Sequence, residues 1–241
     1  MPALASARTI DSAHAGWDAW RASRLTSLVA PAGNLALVET RWQASDQDES
    51  LEDALSGRPS SVTATRLERR NIDTGELERG IRLWDANAPS IQYFDTVEAF
   101  PFNPDWVIEA TFTEVPGARR IPFEHVRDNG GTRELVVPGD ITFTLHDVDY
   151  SLSAFDDDGT LLLVFGDKTN GVSTYAAGRF LIVPRVPGSD QVVLDFNRAF
   201  VPPCGFSAHY NCPLPPPQNR FHVAVDAGER LPAFLDGYAI H

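Results

Sequence analysis

From Ser60 onward the chain is cut into short apolar or alternating runs separated by Gly and Pro, and this punctuation constrains the fold more than any other feature. The runs read SVTATRLER, WVIEATFTEV, TRELVVPG, DITFTLHDVDYSLSAF, TLLLVFG, RFLIV, VVLDF and FHVAV, rich in branched residues and of strand length. Within them Ile141, Phe143 and Leu145 alternate with Thr142, Thr144 and His146, the two-residue period of a sheet covered on one face. DDDG between Phe155 and Thr160 predicts an exposed hairpin turn, with Gly159 left-handed, rather than a cation site. No helical runs alternate with these strands, so the expected fold is mainly β, an antiparallel β-sandwich or open barrel rather than an α/β sheet.

One helix precedes the strands. AHAGWDAWRASRLTSLVAP sets Trp17, Trp20, Arg24, Leu25 and Leu28 at helical spacing, with Asp11 or Ser12 as cap and Pro31 and Gly33 as the stop. The two tryptophans are expected to pack the helix onto the body. LALVETRW predicts a strand, and ASDQDESLEDALSGR a solvated acidic loop with a helical turn, because it lacks the ligand spacing and glycine of a calcium loop. Residues 1–59 thus read as an N-terminal helix and acidic variable segment packed on a β domain of residues 60–241. Between Pro202 and Pro217, PPC and PLPPP remove backbone donors and impose an irregular, rigid, proline-rich strap, which either covers a sheet edge or walls a pocket.

Composition narrows the partners. A formal charge of -13, from 33 acidic residues against 20 Lys plus Arg, repels a phosphate backbone, and no basic patch offsets it, so no nucleic-acid partner is expected. No apolar run approaches the roughly 20 residues of a membrane span, and MPALASARTIDSAHAG has no basic leader, which predicts a cytoplasmic protein without a membrane partner. Cys204 and Cys212 cannot make a disulfide framework; free thiols, one local bridge, or a reactive or metal-ligating pair with His209 between them stay open. Gly-rich phosphate loops, HExxH, CxxC and GxSxG are absent, so neither a cofactor nor a resident metal is expected. A homodimer is compatible with this composition.

Chemistry concentrates in the last third. Asp167, Lys168, Thr169 and Asn170 form a polar turn leaving a hydrophobic strand, a position that either stabilises itself or aims side chains into a cleft. Arg179, in an aromatic and aliphatic setting, needs a carboxylate partner, for which Asp195 or Glu229 is expected, because an unpaired buried charge costs roughly 3–5 kcal/mol. Either that pair is architectural, or Arg179 holds a substrate anion while Asp195, His209 or Glu229 moves a proton. Asp167, Thr169, Asn170, Tyr175, Asn197 and Asn219 are the candidate substrate-binding residues. His125 and His146 occupy expected strand positions, where either can act as an acid or base if it faces a cleft.

GDKTNG followed by TYAAGRFL, then LDFNRAFVPPCGFSAHYNCPLPPPQNR and the AGE at Ala227 to Glu229, resemble the DUF1684 family, an uncharacterised family of bacteria and archaea. FPFNPDWVIEATF is similar to its aromatic and proline approach to a strand. The resemblance spans roughly residues 91–231, with a weaker echo in WDAWRASRLTSL. It implies that Asp167, Thr169, Gly171, Tyr175, Gly178, Arg179 and Asp195 carry the family pattern, as do Asn197, Pro203, Cys204, Cys212, Pro213, Asn219, Gly228 and Glu229, without assigning them roles. Residues 34–60 depart from the simpler strand and glycine-rich turn of the family. The functional expectation is a small-molecule enzyme of non-redox acid-base chemistry (hydrolase, lyase, isomerase or cyclase) on a polar organic substrate. The alternatives are a noncatalytic small-ligand binder and a structural or partner-binding protein.

Overall fold

The computed structural model describes residues 5–43, 48–70, 74–126, 132–157, 160–186 and 188–240. In chain order it holds α1 (Ala7–Leu28), β1 (Leu37–Trp42), α2 (Leu51–Leu55), β2 (Val62–Arg70), β3 (Leu77–Asp85), α3 (Pro89–Gln92), β4 (Phe94–Ala99) and β5 (Val107–Glu124). There follow β6 (Thr132–Leu145), β7 (Val148–Asp157), β8 (Thr160–Phe165), β9 (Arg179–Val183), β10 (Gln191–Asp195) and β11 (Glu229–Phe234). The chain is mainly β, as its punctuation predicts.

These elements fall into two compact units, each assembled from separated stretches of chain. One takes residues 1–21, 97–202 and 212–231; the other takes 22–96, 203–211 and 232–241, so the 59/60 boundary expected from sequence lies inside the second.

The first unit is built on a six-stranded antiparallel sheet in the order β10-β5-β6-β7-β8-β9. Its edge strands β9 and β10 approach each other, so the sheet curls into an open half-barrel. Alternation decides what lies inside: Ile141, Phe143 and Leu145 are buried, as are Leu161, Leu163 and Phe165 on β8, while Thr142 is exposed. An aromatic plug fills the concavity. Phe196 meets Phe165 edge-on at 5.2 Å and Phe221 at 5.4 Å between ring centroids. The run DITFTLHDVDYSLSAF, read from sequence as one strand, is instead the β6–β7 hairpin. His146 and Asp147 form its turn at φ 49° and 61°, so His146 does not continue the Thr142 face. The DDDG turn partly coincides with this sheet: Asp157 pairs with Thr160, and Gly159 lies outside the described residues.

The proline-rich strap contributes to this unit from Cys212 onward, and there it covers a strand edge. The end of β5 extends past its pairing with β10; His125 bridges Pro213, the Leu214 amide donates to the Glu124 carbonyl at 2.7 Å, and the Val126 amide donates to the Cys212 carbonyl at 3.0 Å. This is the edge protection that one reading of the prolines implies.

α1 begins earlier than its predicted cap. Ser6, not Asp11 or Ser12, accepts the Thr9 amide at 3.3 Å through its hydroxyl. Trp17 packs as expected, donating from Nε1 to the Asn197 carbonyl at 3.2 Å and meeting the Phe102 ring edge-on. Trp20 is half-buried, like Trp17, and lines one side of a cavity.

The second unit carries a three-stranded antiparallel sheet, β1-β3-β2, with Ile81 and Leu83 of β3 fully buried beside Ala54 of α2. The acidic segment before α2 ends in a helical turn capped by Ser50, which accepts the Asp53 amide at 3.0 Å. Its charges meet arginines of the sheet: Glu49 pairs with Arg41 at 2.6 Å and Asp48 with Arg66 at 3.3 Å. Pro203–Asn211 belongs to this unit, where the Ser207 hydroxyl donates to the Leu37 carbonyl at 2.7 Å and the Tyr210 ring lies under the Arg82 guanidinium.

Phe196→Ala removes the centre of the aromatic plug and is expected to lower unfolding free energy by about 3–5 kcal/mol. Val172→Ala, at a site 81% exposed, is expected to stay within about 0.5 kcal/mol; urea denaturation of the two variants checks both.

Candidate functional site

Arg179 opens β9 and is completely buried. One terminal nitrogen donates to the carbonyls of Ala227 and, at 3.2 Å, Glu229; the other donates to the Val225 carbonyl at 2.9 Å and to Asp167 Oδ2 at 2.8 Å. The hydrogen-bonded carboxylate partner is therefore Asp167; of the two acids expected from sequence, Glu229 acts on the guanidinium through its charge, whereas Asp195 pairs with Arg198. Burial lowers the Arg179 pKa, and the Asp167 carboxylate opposes that shift. The neighbouring chain has to come very close to make this cradle. Gly228 sits at φ 78°, and a Cβ there would stand 2.6 Å from the Ala199 carbonyl oxygen.

The rest of the polar set closes on itself in the same way. Asp167 Oδ1 accepts from the amide and hydroxyl of Thr169, and Asn170 Oδ1 accepts the Asp167 amide at 2.6 Å. Asn170 Nδ2 donates to the Thr174 hydroxyl and, at 3.2 Å, to the Tyr175 carbonyl; the Tyr175 amide reaches the Arg230 carbonyl. Asn219 is buried where β7 and β8 part: it accepts the Ser153 amide at 2.9 Å and donates to the carbonyls of Ser153 and Val164, replacing a rung of the ladder. Asn197 does the same opposite Asn103, taking its amide at 2.7 Å and returning a bond to its carbonyl at 3.0 Å. Glu229 is fully buried and accepts the Val201 amide at 2.8 Å.

The four residues named as catalytic are thus not one constellation. Arg179 and Glu229 share the buried cradle, whereas Asp195 lies elsewhere in the first unit. His209 is exposed in the second unit, its amide donating to the Ser207 hydroxyl at 3.1 Å. Cys204 and Cys212 are buried, lie in different units and are not joined in a disulfide, and among the described residues no three His, Cys, Asp or Glu side chains gather as a metal site. His125 is buried, with Nδ1 3.2 Å from the Phe123 carbonyl.

Several cavities open on the described residues of the first unit, and two of them adjoin residues named from the sequence. The smaller, about 360 Å³, has Asp167 and Asn170 on one side and Arg220, Phe221 and Pro215 on the other. The larger, about 670 Å³, lies between the first part of α1 and the edge strands β9 and β10, within the size range of pockets for small organic molecules. Trp20, Ile182, Val193 and Phe200 give it apolar walls; Arg8, Ser12, Asp195 and Arg198 supply its polar groups. Asp195 caps the helical turn after β10, accepting the amide of Asn197 at 3.2 Å and its side chain at 3.0 Å, and faces Arg198 at 3.2 Å. Burial raises its pKa above the ordinary aspartate value, with those hydrogen bonds and Arg198 pulling the other way.

Sequence reasoning found Asp195 but missed its companions. Their signal is a stripe: Arg8, Ser12, Gly16 and Trp20 recur every four residues, one face of a helix. Gly16 completes it, since a Cβ there would stand 2.6 Å from the end of the Arg198 side chain.

Replacing Arg179 by Met leaves the Asp167 carboxylate buried without its cation, and about 3–5 kcal/mol of stability is expected to be lost. Adding Asp167→Asn should cost much less than its own single effect, a coupling read from a double-mutant denaturation cycle. The raised pKa of Asp195 favours the protonated acid in the folded state. That contribution is full below the unfolded value and is lost as pH rises through the folded one. Carboxyl NMR should find Asp195 titrating above an ordinary aspartate, and Arg198→Gln should raise it further.

A family model described as "Protein of unknown function (DUF1684)" matches residues 92–230. A solution NMR structure of an uncharacterized protein from Haloarcula marismortui is 33% identical, the match covering 57% of this chain and 77% of that one with a TM-score of 0.47. No curated protein matches the chain.

Proposed function

The chain belongs to the DUF1684 family, and from that premise we propose that it binds a small organic molecule in the cavity between α1 and the β9–β10 edge. The observation that carries this reading is the contrast between two groups of polar residues. Asp167, Arg179, Asn197, Asn219 and Glu229 bond to the chain itself, whereas Arg8 and Arg198 line, beside the helix-capping Asp195, a cavity of about 670 Å³ whose walls include Trp20, Ile182, Val193 and Phe200. A mostly apolar recess with a few convergent polar groups is what orients a small ligand.

A second reading has its own support. Asp195 lines this cavity and its pKa is raised by burial, which brings a carboxyl closer to the range in which it exchanges protons usefully with a ligand. Binding followed by proton transfer from Asp195 is therefore the form in which acid-base catalysis fits this chain. Arg179 and Glu229 then serve as the frame.

Ala13 lies on the helical side of the cavity, and Ala13→Phe fills it from a position where a longer side chain can remain in the helix. Native mass spectrometry of the gently purified wild type should show a retained small molecule that the Ala13→Phe protein lacks, with both equally helical by circular dichroism. Equal retention by the two proteins places the ligand elsewhere.

A further inference from the structure

We infer that the ligand of this cavity is an amphipathic carboxylate, its anionic end held by Arg198 with Arg8 near it and its apolar part on Trp20, Ile182, Val193 and Phe200. The inference rests on the proposed binding role of this cavity and goes on to name the chemistry of the occupant.

Charge is the first argument. The lining carries two guanidinium groups, Arg8 and Arg198, against a single carboxylate, Asp195. The nearest further acid along the sheet, Glu109, is opposite Val193 on β5, and it is engaged by the Ser6 amide at 3.0 Å and the Thr9 hydroxyl at 3.1 Å at the start of α1. A local cationic excess on a chain of formal charge -13 selects an anion over a cation of the same size.

Donor supply is the second. Asp195 meets Arg198 through Nε, and among the described residues no side chain or carbonyl takes a hydrogen bond from either terminal nitrogen of Arg198; the same holds for the Arg8 guanidinium. Two parallel N–H donors at the end of a planar fork match the two oxygens of a carboxylate. Gly16 fixes where that fork lies. With hydrogen in place of a side chain, the helix lets Arg198 rest against its backbone, and a Cβ at 2.6 Å would push the fork away.

The walls supply the third. Ile182 is 37% exposed despite lying on a strand of the half-barrel, and it shares the recess with the indole of Trp20 and the ring of Phe200. An apolar chain or ring removes these surfaces from water, while a small polar acid would leave them wet.

Calorimetric titration of the full chain with octanoate and with 1-octanol, of equal chain length, tests the inference. The wild type should bind octanoate about tenfold or more tightly than octanol, the scale of one charge-assisted pair. Arg198→Gln should remove that preference and leave octanol binding unchanged, and Gly16→Ala, a helix-compatible change, should weaken octanoate alone. If octanol binds as well as octanoate, or Arg198→Gln leaves the octanoate affinity intact, the anion assignment falls while the cavity reading stands. If neither probe binds, or Ala13→Phe leaves both affinities unchanged, the cavity reading falls with it.

Discussion

The first unit depends on one cation held out of water. Arg179 gathers three carbonyls of residues 225–229 and the Asp167 carboxylate, and so joins the start of β9, the turn after β8 and the stretch leading into β11. The start of β9 is also held in the sheet, where Arg179 lies opposite Phe165 of β8, whereas Asp167 and residues 225–228 lie outside the strands. Hydrophobic burial can close a half-barrel in many ways, since Leu, Val and Phe side chains tolerate sliding. A planar fork with a fixed set of acceptors tolerates far less. The arginine adds specificity to a core whose driving force is apolar, and its desolvation is offset only because almost every donor is used.

The buried asparagines extend the same logic. Asn219 and Asn197 present an amide edge that copies a peptide group, one between β7 and β8 and one beside Asn103. Each satisfies backbone groups at a place where the regular pairing stops, which would otherwise leave orphaned donors and acceptors in the interior. Polar residues that look like a binding site by composition are here the means by which irregular backbone is kept buried.

How far this was readable from the string follows from the range of the interactions. The strands were legible because one-sided burial imposes alternation, as at Ile141 to Leu145. The β6–β7 turn was not, because the polar pair His146–Asp147 sits within an apolar rhythm that continues across it. The polar turn at Asp167 was legible, but its partner was misassigned. Asp167 precedes Arg179 by 12 residues across the turn after β8, and Asp195, equally plausible by composition, is claimed by Arg198 three residues on. The cavity was hidden for a different reason. Its walls come from a helix near residue 8 and strands near residues 182 and 195, and only the four-residue stripe from Arg8 to Trp20 hinted that this helix has a second face to offer.

The cradle also sets an order of events during synthesis. Arg179 and Asp167 leave the ribosome well before their carbonyl partners, which lie 46 to 50 residues further along the chain from the arginine. Until that stretch arrives, the pair sits at the open mouth of a sheet whose strands are otherwise complete, hydrated and without its lid of backbone. The nascent half-barrel therefore keeps a wet end, and the final burial of the charge pair is coupled to delivery of residues 225–229 rather than to formation of the strands themselves.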